Sequence, residues 1–287
     1  AVVSAERNAL IGNLYALDVN CQVLTPGVYY DLCTDLDGAG PLKVGPAGWS
    51  IYNAGVTMVA SSPVVHLLPE QTVLFDCDTV FGCPRPGATA FLYAGECHAA
   101  PSTVQPAMVQ QLAQFKAAVQ LDLQRVSGSQ HYRLCVDGDG GRVALLPGQI
   151  GTVFVSPVGA MDSNFVQVGR LTRLQMLCVS CEDSSEVFLA EACGMHGPGA
   201  GLRVAPVEVT SRIAFGPAGV DGWRSVSIDF PAFPTAWSGR YYELCMLGNE
   251  TPTEIGPTGF AVYASPDLYT LEVAVQVVAL QALHLGC

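Results

Sequence analysis

The 287-residue chain is half hydrophobic and only 13% charged, with 30 glycines, 19 prolines and 11 cysteines. That balance is too apolar for a disordered chain and too rich in Gly and Pro for a helical one. A formal charge of −12, from 25 acidic against 13 basic residues, excludes the clustered Lys and Arg on which nucleic-acid binding runs.

Eleven cysteines fit an oxidising exterior, where they form a disulfide framework, better than a reducing cytosol. The chain opens Ala1-Val2-Val3-Ser4 with no charged-then-apolar leader, as expected of a mature end left after signal removal. No run of ~20 apolar residues is present, so no membrane span is expected.

Taken in chain order, residues 8–18 carry a helix-compatible pattern but align with a strand ending at Leu123, so a strand is expected there. Tyr29-Tyr30-Asp31-Leu32-Cys33 reads as a strand, followed by a polar turn, Gly48 and a short apolar run over 49–52. Cys77, Cys83 and Cys97 come next. Residues 116–123 and 224–230 alternate apolar and polar, as half-buried strands do. His131-Tyr132-Arg133-Leu134-Cys135 and Tyr241-Tyr242-Glu243-Leu244-Cys245 repeat the first tyrosine-cysteine strand, with successive steps of 102 and 110 residues between the middle tyrosines. After those cysteines, at spacings of 15, 16 and 14 residues, come Gly48, Gly151 and Gly259, each opening an apolar run.

The repeat extends further. Residues 157–178 and 266–287 match in length and end in Cys178 and Cys287, and Cys178, Cys181 and Cys193 echo Cys77, Cys83 and Cys97. The chain is out of phase with this period. Residues 1–76 form an incomplete N-terminal domain, 77–177 a second domain, 178–279 a third, and 280–287 a donor strand segment.

Copies of ~100 residues with a turn signal about every ten and a tyrosine just ahead of a strand cysteine resemble small immunoglobulin-type sandwiches. The match is imperfect, because the tyrosine stands three residues before the cysteine and not two. The expected fold class is all-β: tandem immunoglobulin-like β-sandwich domains, the first incomplete and completed by a strand from another subunit. In that picture Cys97 with Cys135 and Cys193 with Cys245 link facing sheets, while Cys77 with Cys83 and Cys178 with Cys181 close local loops. Cys33 lacks the partner its copies have, which leaves Cys21 as its candidate mate. Spacing alone leaves the connectivity open.

No catalytic constellation emerges. The five histidines (His66, His98, His131, His196, His284) occupy different repeat positions, so no catalytic residue, cofactor or metal is expected. Cys178-Val179-Ser180-Cys181 is weakened as a zinc or redox motif by its repeat mate, in which five residues intervene. Asp35-Leu36-Asp37-Gly38 and Asp137-Gly138-Asp139-Gly140 suit hairpin turns better than calcium, and the glycine-rich 194–201 suits a loop. Asn249-Glu250-Thr251 is an N-glycosylation acceptor, and Ser/Thr beside Pro are candidate O-glycan sites.

The last 17 residues alternate strongly apolar faces, from Leu271 through Val278, Leu280 and Leu283 to Leu285. By the repeat, this segment belongs to a following domain absent from the chain; its natural acceptor is the incomplete first domain of another copy, the alternatives being a longer tandem array and a strand folded back onto its own domain. Such repeats with a donated terminal strand resemble subunits of extracellular fibres, including bacterial donor-strand pili and glycosylated fibrils of environmental microbes. The resemblance implies an extracellular head-to-tail homopolymer carrying covalent glycans, with Cys287 available to pair across subunits. The alternative is a cell-surface adhesin or receptor ectodomain that binds glycans or proteins through loops such as 193–203.

Overall fold

The computed structural model describes residues 5–7, 15–17, 23–35, 44–59, 64–77, 83–84, 86–138, 147–194, 206–231, 238–247, 255–265, 269–270 and 285–286. Among the described residues there is no α-helix, and strands dominate. Alternation at period 2 sets the local structure, as in Gln71–Cys77, where Val73, Phe75 and Cys77 are buried and the residues between them are not.

One sheet has eight strands: β5 (Val56–Val59), β6 (Val64–His66), β7 (Gln71–Cys77), β8 (Thr89–Tyr93), β9 (Ala107–Ala113), β10 (Lys116–Leu121), β11 (Gln130–Asp137) and β12 (Gly148–Ser156). Its order is β5-β7-β10-β9-β8-β11-β12-β6. Immunoglobulin sandwiches carry strands A, B, E and D on one sheet and C, F and G on the other. Here β5, β7, β10 and β9 follow the first set and β8, β11 and β12 the second, joined where Thr89 and Ala90 pair with Met108 and Ala107. β6 pairs in parallel with the end of β12, so the first strand of the sandwich is split between both sheets.

The next set repeats this plan. β13 (Val158–Met161), β15 (Leu171–Cys178) and β18 (Trp223–Asp229) form a three-stranded sheet. β14 (Phe165–Gln167), β16 (Glu186–Ala190), β17 (Ile213–Ala214), β19 (Arg240–Leu247) and β20 (Ile255–Ser265) form the other, in the order β14-β20-β19-β16-β17. β14 again runs parallel to the end of β20. A single core joins the two sheets, with Leu174, Met176, Val226 and Ile228 from one and Val187, Leu189, Tyr242, Leu244 and Val262 from the other. This is a β-sandwich of the immunoglobulin type.

Ahead of both lie two hairpins. β1 (Ala5–Arg7) pairs with β2 (Tyr15–Leu17), and β3 (Val28–Thr34) with β4 (Gly45–Asn53). β2 falls within residues 8–18 and is extended, as its alignment with β10 requires. At the other end β21 (Tyr269–Thr270) pairs with β22 (Leu285–Gly286).

The strand order sets a different frame from the sequence division at Cys77 and Cys178. Those cysteines are the last residues of β7 and β15, inside their sandwiches, which run from β5 to β12 and from β13 to β20. A period carries no phase, so the repeat alone has no means of finding the first strand. The chain forms two compact units that alternate along the sequence, residues 1–61, 72–121 and 133–151 in one and 62–71, 122–132 and 152–287 in the other.

Candidate functional site

The tyrosine-cysteine strands are β3, β11 and β19, and their side chains alternate between faces. On β19, Tyr242, Leu244 and Met246 enter the core between the sheets, whereas Cys245 and Leu247 lie in a separate cluster with Phe188, Ala190 and Cys193. Cys135 likewise clusters with Phe91 and Cys97. In an immunoglobulin domain a cysteine two residues after the tyrosine shares its inward face. At three residues the period of 2 turns it outward, and Leu134 and Leu244 take the inward position with no exposure.

The bonds Cys97–Cys135 and Cys193–Cys245, with Cα separations of 5.6 and 5.3 Å, therefore do not link facing sheets. Each ties the loop after β8 or β16 to the adjacent strand of the same sheet. A polar contact beside each bond does the same: Arg133 Nη1 lies 2.6 Å from Glu96 Oε2, and the Cys193 N–H donates to Glu243 Oε2 at 2.8 Å. Cys77–Cys83 and Cys178–Cys181 close short loops after β7 and β15. The four disulfides among the described residues point to an oxidising compartment.

The tyrosines form corners. The Tyr132 hydroxyl donates to Ser127 O at 3.2 Å and accepts the Ser127 N–H at 3.1 Å. Tyr30 makes the matching contacts with Thr25, also five residues upstream. Burial raises the pKa of Tyr242 above its ordinary value.

Where β3, β11 and β19 meet their hairpin partners, a pair of rings recurs. Tyr29 faces Tyr52 at 4.7 Å between centroids, His131 faces Phe154 at 4.9 Å, and Tyr241 faces Tyr263 at 5.1 Å. One backbone bond beyond each pair closes the hairpin, from the N–H of Gly27, Ser129 or Gly239 to the carbonyl of Asn53, Val155 or Ala264. All three donors have positive φ, 82°, 63° and 75°. This conformation costs Gly nothing and disfavours most other residues, and Ser129 adopts it in the second copy.

The second ring of the pair then packs on a glycine of the following repeat. A β-carbon on Gly148 would overlap the Tyr52 ring, and one on Gly256 would overlap Phe154. The Tyr29 hydroxyl adds a 3.0 Å bond to Pro147 O. Further along β20, His66 lies over Gly259, stands 5.3 Å from the Phe260 ring, and hydrogen-bonds Val158 O at 2.7 Å through Nδ1. The sequence signal for these seats was the match of Val44-Gly45-Pro46-Ala47-Gly48-Trp49-Ser50-Ile51-Tyr52 to Ile255-Gly256-Pro257-Thr258-Gly259-Phe260-Ala261-Val262-Tyr263, of which the glycine-and-apolar pattern alone captures half.

A groove of about 460 Å3 beside the first ring pair is lined by Tyr29, Tyr52, Glu96, His98, Arg133 and Gln149. Burial and the neighbouring Glu96 raise the Tyr29 pKa, and Arg133 opposes them. Cys33 is exposed and forms no disulfide among the described residues. Leu285 lies in β22. Cys21, Asn249, Val278, Leu280, Leu283 and Cys287 lie outside the described residues. Among the described residues no cluster of three or more His, Cys, Asp or Glu is placed to hold a metal, and no helix is long and apolar enough to cross a membrane.

No protein-family model and no curated protein matches the chain. Solved structures that resemble it include the two immunoglobulin domains of DIP-gamma, at 13% identity over 71% of this chain and 92% of that one, with a TM-score of 0.20. A marsupial T cell receptor matches at 11% over 73% and 75%, TM-score 0.23. The Yersinia pseudotuberculosis adhesin InvE matches at 14% over 76% and 65%, TM-score 0.23. Likeness at this level bears no weight, and the assignment to immunoglobulin-like sandwiches stands on the strand order and the shared core.

Proposed function

We propose that the chain is a structural subunit of an extracellular filament, which polymerises head to tail by donating its C-terminal segment to the incomplete N-terminal domain of a neighbour. Residues 266–287 are the sequence counterpart of 157–178, which run as β13, β14 and β15, the opening strands of a sandwich. Residues 5–53 hold counterparts of β9 to β12, the closing strands. Tail and head are thus complementary parts of one domain.

The observation that carries this reading is Leu32. Its counterparts Leu134 and Leu244 are fully buried, yet Leu32, on the two-stranded β3–β4 sheet, is only half-buried. It is an inward position left partly uncovered among the described residues. Donated strands supply backbone hydrogen bonds and alternating apolar side chains, and a contact between unlike surfaces propagates as an open polymer. Donation requires the two-residue β21–β22 ladder to open, a small loss against a strand's worth of pairing. Glycans at Asn249 and at Ser/Thr beside Pro would help keep a charge-poor surface in solution.

Removing Val278 through Cys287 tests the reading. Polymer should be lost on sedimentation while the sandwiches still melt cooperatively; polymer that forms unchanged contradicts donation. A second reading, an adhesin or receptor ectodomain, draws on the polar groove at Tyr29 and His98, and gains ground if the chain stays monomeric at high concentration while binding glycans or a protein.

A further inference from the structure

Among the described residues a ring pair sits on a glycine twice, one further ring pair has no described seat, and one further glycine has no described ring. Tyr52 sits on Gly148 and Phe154 on Gly256. Among the described residues no glycine seats Tyr263 of the third pair, and its mate Tyr241 is 65% exposed where the counterpart His131 is 8% exposed. At the other end, Gly45 is opposite the residue after Cys33, as Gly256 is opposite the residue after Cys245, and a β-carbon there meets nothing within 4 Å. Gly48 is equally open, and Trp49, the counterpart of Phe260, is 75% exposed.

We infer that the Tyr241–Tyr263 pair of one copy seats on Gly45 of a second copy, reproducing between subunits the ring-on-glycine contact that joins successive repeats within the chain. In parallel pairing Gln167 meets Ser265 as His66 meets Ser156, so Gln167 takes the place of His66 and reaches Gly48 and Trp49. The occupant is a second copy because both halves of the contact are on this chain, each shown with its proper mate elsewhere in it. An aromatic face packed on a bare backbone excludes water over the ring and tolerates no side chain at the glycine. This inference rests on the head-to-tail reading above and assigns the residues of its contact.

Gly45→Leu and Tyr263→Ala test it by sedimentation velocity and electron microscopy of the full chain. Gly45 has open space and no positive φ, so the leucine variant should fold as the parent does, checked by its melting curve at a concentration below assembly. Each variant should raise the concentration for half-assembly at least tenfold. Mixed together they should form 1:1 dimers and nothing longer, since one retains a working tail and the other a working head. If both variants assemble like the parent while deletion of residues 278–287 abolishes assembly, the seat is wrong and strand donation stands. If the parent chain itself never assembles, both fall.

Discussion

Replacing the same inward leucine by alanine in each of the three copies gives a direct reading of which domains are closed. Leu134 and Leu244 have no exposure, so Leu134→Ala and Leu244→Ala should each cost about 2–5 kcal/mol, the range for fully enclosed Leu→Ala changes. Leu32 is half-buried. Full burial of a leucine side chain is worth about 1.5–3 kcal/mol, so Leu32→Ala should cost about 1 kcal/mol in the dilute chain. For a sandwich of this size each kcal/mol moves the melting temperature by about 4–8 °C. Circular dichroism melts at low and high protein concentration separate the states. In assembled material the Leu32→Ala cost should rise into the range of the other two. The reasoning fails if Leu32→Ala costs as much as Leu244→Ala in the monomer, or if assembly leaves its cost unchanged.

Other consequences are as sharp. Tyr132→Phe strands the Ser127 N–H and carbonyl that the hydroxyl serves and should cost about 1–3 kcal/mol, measured by denaturant unfolding. Removing Cys97–Cys135 or Cys193–Cys245, which span 38 and 52 residues, should cost about 4 kcal/mol each by chain entropy, against about 2 kcal/mol for either short-loop bond; equal losses in paired Cys→Ala variants would contradict this ordering. Because burial raises the Tyr242 pKa above 10.0, the neutral phenol is favoured in the folded state. That contribution is complete below pH ~10 and is lost as pH rises through the folded value. Ultraviolet titration should show the Tyr242 phenolate forming only above the ordinary range, and Tyr242→Phe should remove that late step.

Much of this architecture was legible in the residues, and the misses have physical causes. The tyrosine-cysteine strands, their turns and the strand at 15–17 follow from period-2 alternation and from the repeat. The one-residue excess between tyrosine and cysteine was also visible. Its meaning, a disulfide on the outer face, depends on which face is the core, and that is settled by the opposing sheet. The domain frame escaped because β6 and β14 are three residues long and pair in parallel with strands some 90 to 100 residues further on, leaving no local signal. The ring pairs were hidden by composition: His131 and Phe154 stand where the other copies have tyrosines, and counting from Gly151 sets Val155, not Phe154, level with Tyr52 and Tyr263.

The central claim, that tail and head complete each other between copies, is tested most directly by electron cryomicroscopy of the purified chain at high concentration. The account predicts filaments in which residues 271–287 of one subunit run as strands opposite the β3–β4 sheet of the next, covering Leu32. Discrete monomers, or filaments whose residues 271–287 stay folded on their own chain, would contradict it.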